Sequence, residues 1–296
     1  MAMEFVRRFP EAREVFEEAD EAVQLPLSRW AAEGPREVLR RTEIAQPAML
    51  AASHAIYRVV EPRLAAPVAY VAGHSLGEYS ALVAAGALAL GDAVSLVRRR
   101  GALMQEAVPE GRGQMTAVLG LPGDEVMRVC AGVDGVVAAA NFNSPTQTVV
   151  AGESKAVSAA CAALGAAGAS KLVQLPVSAP FHCELMRPAM EKLTPALSET
   201  CFWNARIPVI SNVTAEPYSS ADEARALLRE QVCAPVRWVD CVRTLVRVGV
   251  RVQLEVGPGR VLSALARKID RGLTCANVEA PEDMERALAC IGEALG

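Results

Sequence analysis

Apolar residues recur through the first sixty positions at the three-and-four spacing of amphipathic helices. Phe5, Val6, Phe9, Val15, Phe16 and Ala19 fall among charged residues between Glu4 and Ala22, a helical pattern with one break at a proline. The stretch "TEIAQPAMLAASHAIYRVVEP" predicts a longer apolar helix ending at Pro62. "PVAYVAG" then reads as a short buried strand that stops at Gly73, and the pattern from Leu76 to Leu88 is helical again. "GDAVSLVRRRGALMQEAV" predicts a further helix with Asp92 as its N-cap. Helices alternating with buried strands are the rhythm of an α/β layered domain.

The rhythm changes between about Gly113 and Val177. "QMTAVLG" predicts a strand, "GDEVMRVCAG" a helix, and "GVVAAANFNSPTQTVVAG" two strands around an Asn/Ser/Pro turn. "ESKAVSAACAALGAAG" follows as a helix and "SKLVQLPV" as a last strand, so the order is βαββαβ, a ferredoxin-like split βαβ unit. Afterwards the α/β pattern resumes, with helices through "HCELMRPAMEKLTPALSET", "ADEARALLREQV", "VRWVDCVRTLVRVG" and from Val261, and strands at "IPVISNV" and "VQLEVGPG". The predicted organisation is therefore a discontinuous α/β core, residues 1–112 and 178–296, around an inserted subdomain, residues 113–177.

A chain of 296 residues with 52% hydrophobic content can bury a sizeable core. Its net charge of -4 is mild and its cations are dispersed, which sets aside nucleic acid as a partner. Eight cysteines stand singly with no metal-ligand spacing, as expected of a reduced, cytoplasmic chain without a metal centre. The charged opening has no apolar h-region, and the longest apolar run is broken by Gly91 and Asp92, so neither a signal peptide nor a membrane span is predicted.

The candidate chemistry centres on "VAYVAGHSLGEYSAL". Gly73-His74-Ser75-Leu76-Gly77 fits G-x-S-x-G between a strand-like run and a helix, the setting of a nucleophile elbow. There a serine is held exposed on a strained turn, and the next amide, that of Leu76, points to where an oxyanion would form. An ordinary turn with a capping serine reads the same five residues without chemistry. The serine needs a base, and three histidines exist. His54 lies in an apolar helical stretch as a satisfied helix residue, and His74 should point away from its neighbour's hydroxyl. His182, in "PVSAPFHCELM", is then the favoured base.

The stretches "TEIAQPAMLAAS", "AGHSLGEYSALVAAGAL", "RRRGALMQEAVPEGRGQM", "NFNSPTQTVVAG", "PVSAPFHCELMRPA", "PVISNVTAEP", "CAPVRW" and "LEVGPGRVL" follow one another over nearly the whole chain. In this order they resemble the malonyl-CoA:acyl carrier protein transacylases and the acyltransferase domains of polyketide synthases. The resemblance implies an α/β-hydrolase-like core with a ferredoxin-like insert. It implies that Ser75 takes the malonyl group from coenzyme A as an ester, and that His182 acts as base and later activates the phosphopantetheine thiol of the carrier protein. It further implies that His182 is oriented by the backbone carbonyl of Gln231, where an ordinary triad would call on Glu255 or Asp240.

Arg100 matches the arginine that clamps the free malonyl carboxylate, while Arg98 and Arg99 read as a solvated face. Leu76 and Phe181 match residues that accompany malonyl over methylmalonyl selection, and Asn143 and Gln147 fall near the expected acyl or pantetheine chain, although an Asx turn or core packing explains them too. No bound cofactor is implied, since both substrates carry their own: coenzyme A and phosphopantetheine. Malonyl-CoA and an acidic acyl carrier protein are the implied partners, with Lys171, Arg267, Lys268 and Arg271 as contributors to a basic docking surface. The family's opening strand and oxyanion glutamine have no matching stretch, from which weakened transfer is expected. A serine thioesterase, or a carrier-protein-binding scaffold without catalysis, is the alternative.

Overall fold

The computed structural model describes residues 1–177 and 179–295. Ser178 and Gly296, the ends of the second expected core segment, lie outside the described residues. The chain opens with helices α1 (Met3–Arg8), α2 (Pro10–Val23), α3 (Leu27–Glu33), α4 (Arg36–Arg40), α5 (Thr42–Val60), α6 (Leu76–Ala84) and α7 (Leu90–Glu106). The middle of the chain is β1 (Gly113–Leu119), α8 (Gly123–Ala131), β2 (Val137–Ser144), β3 (Gln147–Glu153), α9 (Ser154–Ala166) and β4 (Lys171–Gln174). The last part is α10 (Arg187–Glu199), β5 (Val209–Ile210), β6 (Pro217–Tyr218), α11 (Ala221–Gln231), α12 (Trp238–Arg247), β7 (Val252–Val256), α13 (Val261–Ile269), β8 (Thr274–Val278) and α14 (Pro281–Leu295). The architecture is α/β, with many helices and both parallel and antiparallel pairing.

Helix α2, the long α5 and α7 share one apolar core with α6, α10 and α11, built from Phe5, Phe16, Leu50, Ile56, Leu82 and Leu193 among others. Gly101 lets α7 press against the first turn of α5, where a Cβ would lie 2.5 Å from the Thr42 carbonyl oxygen. That close approach sets neighbouring residues of the two helices side by side in the interior. Helix α7 begins at Leu90, after an extended Ala89, so Asp92 is not its cap. It stands in the first turn, where a carboxylate favours the helix dipole instead.

The middle elements form a four-stranded antiparallel sheet in the order β2-β3-β1-β4. Its alternation serves two buried faces. Val118 and Val150 pack against Val126, Val157 and Leu164 of the covering helices, whereas Met115, Ala117, Val149 and Ala151 pack with Cys183 and Phe181. Strands covered on both sides lose the polar half of the period-two pattern, which is why these stretches are so apolar. The end of β2 docks on the segment before α12: Phe142 N–H donates to the Val236 carbonyl and Val236 N–H to that of Ala140, each at 2.9 Å.

Elsewhere strand pairing is sparser than the apolar runs suggest. "PVAYVAG" is extended but makes a single parallel bridge, Val71 to Val209. "IPVISNV" contributes only the two residues of β5, and β7 finds its parallel partner in β8, a strand that the sequence pattern did not reveal. All eight cysteines are free thiols. Among the described residues no helix is long and apolar enough to cross a membrane.

Candidate active site

Ser75 sits between the extended run and α6 with φ 53° and ψ -105°, a conformation that costs a non-glycine residue free energy. Two features hold it there. Gly73 provides space, since a Cβ on it would fall 2.1 Å from the carbonyl carbon and oxygen of Gly77. Asn212 provides the grip: its Oδ1 accepts from Ser75 N–H at 2.6 Å and its Nδ2 donates to the Gly73 carbonyl at 2.8 Å. Gly77 itself needs no such freedom, because a Cβ there would meet nothing within 4 Å.

The hydroxyl of Ser75 lies 2.7 Å from His182 Nε2, and His182 Nδ1 lies 2.9 Å from the backbone carbonyl oxygen of Gln231. A carbonyl can only accept, so Nδ1 carries the proton and Nε2 is the bare nitrogen facing the serine O–H. Gln231 closes α11, and carbonyls in a last helical turn have no partner within the helix. His182 is also at positive φ, 59°, and is buried. Burial first, then the positive charge of Arg100, pushes its pKa down to about 3, so it stands neutral as a proton acceptor.

Arg100, from α7, is 2% exposed and enters the same site. Its Nη2 donates to Ser75 Oγ at 3.1 Å and to Gln231 Oε1 at 3.0 Å, and its Nη1 donates to Gln46 Oε1 at 2.8 Å. The guanidinium lies 5.5 Å from the centre of the Tyr79 ring, a cation–π contact in a desolvated setting. Arg98 is half-buried and Arg99 exposed, so the helix turns one of three arginines inward.

Below the elbow is a fully buried carboxylate, Glu78. It accepts from Asn212 N–H at 3.1 Å, Tyr218 O–H at 3.0 Å and Gln231 Nε2 at 2.7 Å. Burial nevertheless raises its pKa to about 7 against those three donors. Glu78, Asn212, Tyr218, Tyr79 and Gln46 are the site residues to which sequence reasoning assigned no role. Only the placement of Glu78 one turn after Ser75 could have signalled any of them.

The other candidates are distributed unevenly. Leu76 is the first residue of α6, directly after the serine. Phe181 is half-buried against both the large core and the inner face of the four-stranded sheet. Asn143 lies within β2 and not in an Asx turn, with its Oδ1 2.8 Å from His74 Nε2. The His74 ring, also tilted against Trp238, thus turns from the hydroxyl. Gln147 opens β3 opposite Leu119 and Ser144. Glu255 accepts from the N–H groups of Leu262 and Ser263, and Asp240 pairs with Arg237, so both are committed away from His182. His54 is buried with Nδ1 lacking a partner, which corrects its reading as a satisfied helix residue.

A serine on a strained turn, with a neutral histidine at its hydroxyl and a buried cation beside it, defines a protein of serine-dependent acyl chemistry. The chain belongs to the acyl transferase domain family, whose model matches residues 1–284. A malonyl CoA-acyl carrier protein transacylase of Escherichia coli is 43% identical over 290 residues, 97% of this chain and 94% of that protein. One from Bacillus subtilis is 42% identical over 296 residues, 99% of this chain and 93% of that protein. Among solved structures, an acyl-carrier-protein S-malonyltransferase of Bartonella henselae superposes with a TM-score of 0.95 at 41% identity, covering 99% of this chain and 95% of that one. A malonyl-transacylase in complex with a type II polyketide synthase acyl-carrier protein gives 0.94 at 42% identity, covering 98% of this chain and 94% of that chain.

The glycine geometry separates two outwardly similar substitutions. Gly73→Ala should cost stability on the scale of about 1–3 kcal/mol for a forced overpacking, whereas Gly77→Ala, placed in a helix, should be neutral or stabilising by up to about 1 kcal/mol. Equal melting temperatures for the two variants would contradict this.

Proton binding gives a second expectation. His182 and His54 are held down to about 3 and about 4 by burial, so the unfolded chain binds more protons from those values up to 6.5, and stability rises with pH over that window. Glu78, raised from 4.5 to about 7, acts in the opposite sense but is a single group against three, since burial lowers His74 as well. The thermal midpoint should therefore rise between pH 4.5 and 6.5, and His54→Gln should flatten the rise. The same slope in both proteins would contradict the assignment.

Proposed function

We propose that the chain transfers the malonyl group of malonyl-CoA to the phosphopantetheine thiol of an acyl carrier protein through a malonyl ester on Ser75. The observation that carries this reading is Arg100, a buried guanidinium 3.1 Å from the nucleophile and bonded to amides and a hydroxyl. A planar cation in a desolvated pocket favours an acyl group that ends in a carboxylate.

In the first half-reaction Ser75 Oγ bonds to the thioester carbonyl carbon as its proton moves to His182 Nε2. The N–H of Leu76, with no carbonyl partner four residues earlier within the helix, stabilises the oxyanion together with the helix N-terminus. The C–S bond then breaks, and His182 returns the proton to the coenzyme A sulfur. In the second half, His182 takes the proton of the carrier thiol, the sulfur attacks the ester, and the proton returns to Ser75 as its C–O bond breaks. The Gln231 carbonyl keeps the His182 ring in the required tautomer throughout. Phe181 limits the space beside C2 of the acyl group, while Asn143 and Gln147, on the small sheet, flank the acyl or pantetheine chain. No resident cofactor enters either step.

The division into an α/β-hydrolase-like core, residues 1–112 and 178–296, and a ferredoxin-like subdomain, residues 113–177, belongs to the same reading. Its support is the βαββαβ order and the antiparallel sheet β2-β3-β1-β4. Lys171 at the start of β4, Arg267 and Lys268 in the last turn of α13, and Arg271 just beyond are assigned to docking of the acidic carrier protein.

Intact-mass measurement after incubation with malonyl-CoA tests the reading. A single malonyl adduct is expected, absent in Ser75→Ala and discharged by carrier protein. Arg100→Ala should lower the preference for malonyl over acetyl roughly ten- to a hundredfold, the scale of a lost charged hydrogen bond. Steady release of free malonate without carrier protein would favour hydrolysis instead.

A further inference from the structure

Arg100 is a buried charge without a buried counter-charge in contact. Among the described residues it makes no ion pair, and its acceptors are the amide oxygens of Gln46 and Gln231 and the hydroxyl of Ser75. Taking a guanidinium out of water is costly unless it is paired or fully hydrogen-bonded, and the usual partner is a carboxylate. A carboxylate is close at hand. Glu78 is held one amide away, on the far side of Gln231, whose Oε1 accepts from Arg100 at 3.0 Å while its Nε2 donates to Glu78 at 2.7 Å.

The orientation of that amide is fixed by chemistry. Arginine can only donate, and the partners of Nε2, Glu78 and the Ser75 carbonyl, can only accept when the carboxylate is ionised. Gln46 reaches the guanidinium from the first turns of α5, which Gly101 allows to lie against α7. Two neutral oxygens therefore aim the cation, and the nearest anion is occupied by donors from Asn212, Tyr218 and Gln231.

We infer that Gln46 and Gln231 are positioning residues for acyl-group selectivity, holding Arg100 in place as neutral acceptors and thereby leaving its charge uncompensated for the carboxylate of the incoming acyl group. A glutamate at position 46 would orient the guanidinium as well but would cancel its charge and fill a donor with a resident anion. Gln231 has the added task of keeping Glu78 from pairing with Arg100 directly. This inference rests on the malonyl-transfer reading above.

The test compares the rates of malonyl and acetyl loading of Ser75 from their CoA thioesters, by quenched-flow mass measurement, in the parent protein, Gln46→Glu and Gln46→Met. The malonyl-to-acetyl ratio is the readout, so a general loss of activity cancels. Gln46→Glu should lower the ratio at least about tenfold, and Gln46→Met, similar in size and uncharged, at least about threefold less than that. A smaller separation between the variants, or an unchanged ratio in Gln46→Glu, would overturn the inference, because a merely structural role predicts similar ratios for both. Should Gln46→Glu fail to fold by near-ultraviolet circular dichroism, Gln46→Asp is read on the same scale with the same threshold. Absence of any malonyl adduct in the parent protein would instead overturn the transfer reading itself.

Discussion

The site depends on one residue more than on any other, and that residue is neither the elbow serine nor the histidine at its hydroxyl. Gln231 ends α11, and its backbone carbonyl, free because the helix stops there, is the acceptor that orients His182. Its side chain meanwhile touches Arg100, the Ser75 carbonyl and Glu78. Ser75, His182 and Arg100 thus share a fully buried anchor. The position of α11, set by packing of Ala224 and Leu228 into the main core, becomes the position of the chemistry.

Strain is distributed around the same anchor. Both Ser75 and His182 have positive φ, a cost that persists only where surrounding structure fixes it. For Ser75 that structure is Asn212, which binds the chain on both sides of His74 and is itself held by Glu78. Glu78, Asn212 and Gln231 therefore form one polar network beneath the elbow, with every contact between a donor and a suitable acceptor. Such a network in a low-dielectric interior is stiff when complete and expensive when one member is lost.

The sequence pattern revealed the long amphipathic helices and, as short apolar runs between turn residues, the strands of the four-stranded sheet, but α3, α4 and α14 were not anticipated. It failed where structure depends on pairing between distant segments. The run "PVAYVAG" is apolar enough for a strand but bonds only through Val71, and β8 was overlooked because five residues carry little period of their own. At the site, Ser75 stood out by its motif, His182 by elimination and Arg100 by the family resemblance, and the three lie together in the structure. The supporting amides were not, since a glutamine such as Gln46 has no chemistry of its own and acquires a role only from the arginine opposite it. The backbone carbonyl of Gln231 was anticipated from resemblance, whereas its side chain, which does as much, was not.

The low basicity of His182 links selectivity to catalysis. Burial is the main cause of that low basicity; with a carbonyl in place of a carboxylate at Nδ1 no adjacent anion offsets the charge of a protonated ring, and Arg100 adds to the opposition. In the proposed reaction an acyl group that brings its own carboxylate to Arg100 would offset the arginine's share of that opposition, while burial, the larger cause, would remain. An acyl group without a carboxylate leaves the arginine's field intact and the histidine weak. On that reading the arginine's field would bear on the proton transfer as well as on binding, so long as its charge is left open by its neutral neighbours.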